Sequence, residues 1–125
     1  MKLATGVDIL EIERVAGVVE RQGARFKQRF FTPGELADAG ENIASLAARF
    51  AAKEAISKAL GTGMGRVPLT DMEVLRDEQR APQVHLHGEA LRVAQSLGLH
   101  TWSISLSHSE AYAVAFVVAM GDGPD

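Results

Sequence analysis

The run Ala51-Ala52-Lys53-Glu54-Ala55-Ile56-Ser57-Lys58-Ala59-Leu60-Gly61 decides how this chain is read. Alanine and leucine favour helix, and the closing glycine suits a helix end. Glu54 and Lys58 stand four residues apart, so they share one helix face. The small alanines around them let another element approach closely. An acid able to hold a metal therefore lies one turn from a cation able to hold phosphate. A glycine-rich stretch, Gly61-Thr62-Gly63-Met64-Gly65, follows at once.

Outward from this helix, start and stop signals mark the other elements. Upstream, Asn42 to Leu60 is predicted as one long helix, with Ile43, Leu46, Ala47 and Phe50 as its buried stripe. Before it, Thr32-Pro33-Gly34-Glu35 combines a capping threonine, a proline at the first helical position and a glutamate at the third. That short helix should stop at Gly40. Lys2 to Val7 is expected to be a strand. Asp8 and Glu11 resemble a capping box opening a first helix, with Ile9, Ile12, Ala16 and Val19 on one face. Arg14, Val18, Arg21 and Arg25 line a neighbouring face, and Gly23 should weaken or end the helix.

Downstream the pattern turns to strands. Asp71–Arg76 and Gln83–His87 flank the polar turn Asp77-Glu78-Gln79-Arg80-Ala81-Pro82, which reads as a hairpin. Gly88 to Leu97 is expected to be a helix with Leu91, Ala94 and Leu97 inward. Thr101 to Ser107 alternates, with Trp102, Ile104 and Leu106 on one side. Tyr112 to Ala119 is apolar on both faces, as a central strand or a subunit contact would be. The tail from Gly121 to Asp125 is expected to be loose. Strand, helices, then mostly strands imply an α+β fold, an antiparallel sheet packed on a long helix, rather than a βαβ nucleotide fold.

Composition narrows the function classes. A chain of 125 residues suits a single domain, 1–125, with an ordinary share of charged and apolar residues. Net charge is −3, which does not suggest nucleic acid. Yet Arg14, Arg21, Arg25, Lys27 and Arg29 stand against only Glu20 across that stretch, so an acidic partner could be steered there. There is no cysteine, which excludes thiolate and Cys-zinc chemistry. No signal-like segment stands at the N-terminus, and the longest apolar run, Ala111–Met120, is too short to span a bilayer. No membrane association and a cytoplasmic location are therefore expected.

Several residues could carry chemistry. Asp8 and Glu54 come from separate elements and could form a magnesium site if the fold joins them. The alternatives are a helix cap for Asp8 and a surface ion pair with Lys58 for Glu54. The Gly61–Arg66 stretch could present backbone N–H groups to phosphate, though it lacks the Gly-Lys-Ser/Thr of a P-loop. Taken alone, a helix C-cap and a flexible turn explain it better. No nucleophile elbow surrounds Ser107-His108-Ser109, so a ligand contact at a strand end is preferred to a hydrolase. His85 and His87 share a strand face without a third zinc ligand in view.

Three segments together resemble the phosphopantetheinyl transferases, specifically the short bacterial holo-[acyl-carrier-protein] synthases. Gly6-Val7-Asp8-Ile9-Leu10-Glu11-Ile12-Glu13-Arg14 is similar to the family's G-x-D pattern with its later arginine. Arg49-Phe50-Ala51-Ala52-Lys53-Glu54-Ala55-Ile56-Ser57-Lys58-Ala59 resembles its [FW]-x-x-K-E-A-x-x-K-A pattern. Ser105-Leu106-Ser107-His108 resembles its S-[IL]-[ST]-H pattern before the last strand.

The resemblance implies transfer of 4′-phosphopantetheine from coenzyme A to a serine of apo-acyl carrier protein, releasing adenosine 3′,5′-bisphosphate, in fatty acid biosynthesis. It implies Asp8 and Glu54 as magnesium ligands. Lys58 would contact the phosphates and support the leaving group. Arg49, Phe50, Gly61, Thr62, Gly63, Pro82, Ser107 and His108 would line the nucleotide end. Arg14, Val18, Arg21 and Arg25 would meet the acidic carrier protein. It also implies a homotrimer with active sites between subunits. Glu54 is the candidate acceptor for the serine proton. Two rival readings are another magnesium-dependent phosphate-ester enzyme and a non-catalytic trimeric binding module for an acidic protein.

Overall fold

In the computed structural model, which describes residues 1–63 and 65–125, an eighteen-residue helix lies against one face of a three-stranded antiparallel sheet. Met64, within the glycine-rich stretch, lies outside the described residues. The elements in chain order are β1 (Lys2–Glu11), α1 (Ile12–Gln22), α2 (Ala24–Phe30), α3 (Pro33–Ala39) and α4 (Ile43–Leu60). A single 3-10 turn, Leu69–Asp71, leads to the hairpin β2 (Met72–Arg76) and β3 (Pro82–Leu86). Then come α5 (Gly88–Ser96), β4 (Thr101–His108) and β5 (Tyr112–Gly121). The main sheet has the order β1-β5-β4, and the hairpin forms a second sheet of its own.

The predicted start signals at α3 and α4 are realised. Thr32 Oγ1 accepts from Glu35 N at 3.1 Å while Glu35 Oε1 accepts from Thr32 N at 3.0 Å, a complete capping box. Asn42 Oδ1 accepts from Ser45 N at 3.0 Å and opens α4. Gly61, at φ 72°, closes it in the left-handed region that glycine adopts without steric cost.

The burial of α4 is broader than the predicted stripe. Leu46, Ala47, Ala51, Ala52, Ala55 and Ile56 are all fully buried, so the helix is enclosed on most sides rather than on one. Ala113, Ala115, Val117 and Ala119 of β5 present a flat, fully buried face to it. Small residues on both surfaces let helix and sheet approach closely. Gly6 marks the closest point, since a Cβ there would fall 1.8 Å from the carbonyl oxygen of Ala55. No side chain larger than hydrogen fits, so β1 and α4 meet backbone to backbone.

Four readings need correction. Asp8 does not cap a helix: β1 runs on to Glu11, because every residue from Lys2 to Glu11 pairs with β5. The first helix therefore begins at Ile12, and Ile9 is exposed on the sheet rather than lining a helix. Gly23 does end α1, but a second helix, α2, starts immediately after it and carries Arg25. In α5 the inward face is Ala90 and Ala94 with Val93 and Leu97 packed against the core, while Leu91 is exposed. Finally, the tail begins later than expected, since Gly121 pairs with Lys2 and Gly123 N donates to Gly98 O at 3.3 Å.

Strand β5 is central, one of the two placements its doubly apolar sequence allowed. Its outer face is uncovered in the single chain. Leu3, Val7 and Ile9 of β1 stand beside Tyr112, Phe116 and Met120 of β5, each at least 37% exposed. The pairs Leu3–Met120 and Val7–Phe116 are in direct register, so the apolar surface is continuous.

Candidate active site

Gly6 sets the geometry of the site. By seating β1 against α4, it carries Asp8, two residues on and on the same face of the strand, toward the helix. There Asp8 meets both functional residues of α4. Lys58 Nζ lies 3.3 Å from Asp8 Oδ1 and donates to Val7 O at 2.8 Å. The Glu54 carboxyl lies close enough to that of Asp8 for the two to influence each other's ionisation. Asp8 is therefore the hub, with Glu54 on one side and Lys58 on the other.

Electrostatics mark the pair. The Glu54 carboxyl is pushed up to about 7 by burial, then by the Asp8 carboxyl beside it, while Lys58 and Arg14 oppose the rise. The neighbouring carboxylate thus favours the protonated form of Glu54. The other oxygen, Asp8 Oδ2, is buried and has no hydrogen-bond partner. A buried anionic oxygen without a donor is unfavourable unless something cationic approaches it. Hard carboxylate oxygens from two elements are what magnesium selects. The residues present thus fit the ion implied by the sequence.

A cavity opens beside this pair. It has a volume of about 370 Å³ and is lined by Glu54 together with Arg14 and Val18 of α1, Leu10, Phe26, Phe50 and Tyr112, among others. Two of the residues assigned to partner contact therefore border the same space as the candidate catalytic acid. Arg14, Arg21 and Arg25 are exposed, the first two on α1 and the last on α2. Phe50 forms one wall and belongs to an aromatic cluster with Phe26, Phe30 and Phe31, with ring centroids 5.6–6.4 Å from its own.

The remaining nucleotide-end residues are dispersed. Gly61 and Gly63 are exposed at φ 72° and 67°, with open space where a Cβ would lie. Thr62 turns inward, where its amide and hydroxyl both bond Ser57 O and close α4. Ser107 and His108 are exposed at the end of β4, two strands from β1. Pro82 opens β3 and borders a separate groove with Ser105 and Leu106 of β4.

Arg49 is bonded within the chain, on the side of α4 that meets β2 and α3. It is 1% exposed, and its guanidinium donates to Val74 O at 3.1 Å, to Ser45 Oγ, and to Asp38 at 3.5 Å. Its work is to tie α4 to β2 and α3. Sequence reasoning also overlooked Lys53 and Glu35. The Lys53 ammonium is fully buried and bonds Glu35 Oε1 at 2.7 Å, Met72 O at 2.7 Å and Leu69 O at 2.9 Å. Glu35 Oε2 accepts from Val74 N at 2.9 Å. Burial lowers the Lys53 pKa and the Glu35 charge resists that shift. A lysine among alanines on a helix face was the available signal. Nearby, His87 Nε2 lies 3.0 Å from Glu73 Oε1, and no group of three metal-ligating side chains occurs among the described residues.

Residues 4–117 match the family model of the 4′-phosphopantetheinyl transferase superfamily. The holo-[acyl-carrier-protein] synthase of Herpetosiphon aurantiacus is 46% identical over 126 residues, covering 95% of this chain and 99% of that protein. The crystal structure of Helicobacter pylori holo-[acyl-carrier-protein] synthase in complex with coenzyme A aligns with TM-score 0.85 at 32% identity, covering 93% of this chain and 99% of that one. The enzyme of the same name from Neisseria meningitidis aligns with TM-score 0.83 at 36% identity, covering 94% and 97%. The chain belongs to the holo-[acyl-carrier-protein] synthases of the 4′-phosphopantetheinyl transferase superfamily.

Proposed function

We propose that this chain transfers 4′-phosphopantetheine from coenzyme A to a serine hydroxyl of apo-acyl carrier protein, with magnesium held by Asp8 and Glu54, in the service of fatty acid biosynthesis. The observation that carries the reading is the shared cavity: Glu54 of the carboxylate pair and Arg14 of the basic helix border one space. An acidic protein docked on α1 would bring its serine to the acid pair.

The serine oxygen attacks the phosphorus that bears the pantetheine arm. The bond from that phosphorus to the bridging oxygen breaks, and adenosine 3′,5′-bisphosphate leaves. Such a reaction asks mainly for positioning and charge neutralisation. Magnesium would supply neutralisation of the diphosphate and its alignment. Lys58, 56% exposed along its side chain and held at β1, is placed to contact the phosphates and steady the departing one. Glu54, which lines the cavity beside Asp8, takes the serine proton.

The uncovered sheet face supports a homotrimer, with this surface buried between copies and active sites between subunits. A contiguous apolar face of this kind is rare on a monomer. No helix among the described residues is long and apolar enough to cross a membrane. Cytoplasmic location is proposed on that basis together with the soluble nature of the two substrates.

Chromatographic assay of adenosine 3′,5′-bisphosphate release tests the reading. Release should need apo-carrier protein and magnesium together, and Asp8→Ala and Glu54→Ala should each abolish most of it. Release without any carrier protein would favour a phosphate-ester hydrolase. Carrier binding without release would favour a binding module.

A further inference from the structure

His85 and His87 share a strand face, and the fold supplies the third metal-ligating residue that their spacing lacks. Glu73 of β2 stands directly opposite His85 of β3 in the hairpin register. Its Oε1 also lies 3.0 Å from Nε2 of His87. His87 follows β3 in extended backbone, at φ −132° and ψ 164°, and so continues the alternation of the strand. The intervening residues Met72 and Val74 are buried in the core, which leaves Glu73 and both histidines on the outer face of the hairpin. None of the three borders the cavity beside Glu54.

The spacing of these groups suits a metal. Two ligand atoms that each lie roughly 2.0 Å from a tetrahedral zinc ion are about 3.3 Å apart. Glu73 Oε1 and His87 Nε2 are 3.0 Å apart, so a bridging zinc asks for almost the same placement of both side chains. Their supports are already built. Thr32 Oγ1 donates to Glu73 Oε2 at 2.5 Å, which leaves Oε1 to face His87. His87 N donates to Asp71 O at 2.8 Å and fixes the backbone that carries the ring. Hydrogen bonds of this kind orient ligands and raise metal affinity. His85 is the part that must move. Its ring borders a groove on the turn side, with Leu75 and Gln83, so the three side chains do not converge on one point as they stand. His85 is exposed, and exposed side chains exchange rotamers readily. The directly opposed pair holds its Cβ atoms about 5 Å apart, which puts Glu73 within reach of the turned ring.

We propose that Glu73, His85 and His87 form a zinc site, with water in the fourth position, that clamps the hairpin to the start of α5. Two imidazoles and one carboxylate select zinc over magnesium, which prefers oxygen ligands alone. The site is therefore chemically distinct from Asp8 and Glu54, whose donors are all carboxylate oxygens. Zinc takes the place between Glu73 Oε1 and His87 Nε2 that the hydrogen bond now holds. Through Thr32, the same carboxylate is tied to the capping box of α3. Bound zinc thus braces three elements that meet at this corner of the fold.

Calorimetric titration of zinc chloride into the full chain tests the site, with excess magnesium present to occupy Asp8 and Glu54. The wild type should take up one zinc per chain, and cobalt(II) in its place should give the intense visible absorption of a tetrahedral centre. His85→Ala/His87→Ala should weaken zinc binding by about a hundredfold or more, and so should Glu73→Gln. Both histidines are exposed, so the double variant should fold, which circular dichroism would verify. His100→Ala/His108→Ala should bind zinc as the wild type does. Zinc should also raise the Tm of the wild type and leave that of the His85→Ala/His87→Ala variant unchanged. A wild type that takes up no zinc overturns the proposal. So does binding that survives undiminished in the His85→Ala/His87→Ala variant or in Glu73→Gln, or that disappears with His100 and His108.

Discussion

Lys58 takes its partner from Asp8, fifty residues earlier on β1, and not from Glu54 one turn before it on the same helix. The spacing of Glu54 and Lys58 invited an ion pair across one helical turn. The structure instead gives each of them a separate relation to Asp8. Lys58 is thereby held over the site with more than half of its side chain still exposed.

This arrangement predicts a catalytic rather than a structural role for Lys58. Lys58→Ala should lower kcat by about a hundredfold, as loss of a charge-stabilising donor does. Its unfolding free energy should change by only about 1 kcal/mol, because the lysine end of the pair is more than half exposed. Steady-state kinetics and urea unfolding of the same preparation check both parts.

Glu54 predicts a pH dependence with a definite sign. Its folded pKa is raised from 4.5 to about 7, so the folded state binds more protons than the unfolded state between those values. Stability from this group is therefore fully present below about 4.5 and is lost as pH rises through about 7. In metal-free protein, the difference in Tm between wild type and Glu54→Gln should move in favour of the variant across that window. Magnesium should bind more tightly as pH rises through the same range, because it must displace the proton on Glu54. Calorimetric melts and titrations at a series of pH values measure both.

The basic helix should act on the carrier protein alone. Arg14→Glu or Arg21→Glu should raise KM for apo-carrier protein by about tenfold and weaken its salt dependence, with KM for coenzyme A nearly unchanged. A change confined to the coenzyme A KM would remove α1 from the carrier-binding role. Arg14 is the more informative position because it also borders the cavity with Glu54.

The Lys53–Glu35 pair predicts a purely structural loss. Lys53→Met leaves a fully buried carboxylate without its cation, which costs about 3–5 kcal/mol. Denaturant unfolding should register it. The fraction that remains folded should keep its KM for both substrates, because neither residue borders the cavity.

The apolar outer face should set the oligomeric state. Phe116→Lys places a charge in the middle of it, opposite Val7. Sedimentation equilibrium should show a trimer for the wild type and monomer for the variant. A monomeric wild type would leave this face to some other partner.

What the sequence disclosed follows the range of the forces involved. Local signals were legible: the capping box at Thr32 and Glu35, the Asn42 cap, the glycine stop at Gly61 and the hairpin strands all lie where residue chemistry put them. Long-range pairing was not. Asp8 and Glu11 carried a capping signature, yet pairing with β5 outweighed it and extended the strand. The same limit affected the site. Asp8, Glu54 and Lys58 do come together. Arg49 and Thr62 sit inside correct motifs but bond inward, and motif position alone does not say which way a side chain turns. Gly6 was read as part of a pattern, whereas its physical role is the contact with Ala55 that brings the site together.

The most direct test of the account is intact-mass spectrometry of apo-acyl carrier protein after incubation with this protein, coenzyme A and magnesium. The account predicts that the carrier gains the mass of one phosphopantetheine, that a chelator prevents the gain, and that a carrier whose acceptor serine is replaced by alanine stays unmodified. An unmodified wild-type carrier, or a gain undiminished in the Asp8→Ala/Glu54→Ala double variant, would contradict it.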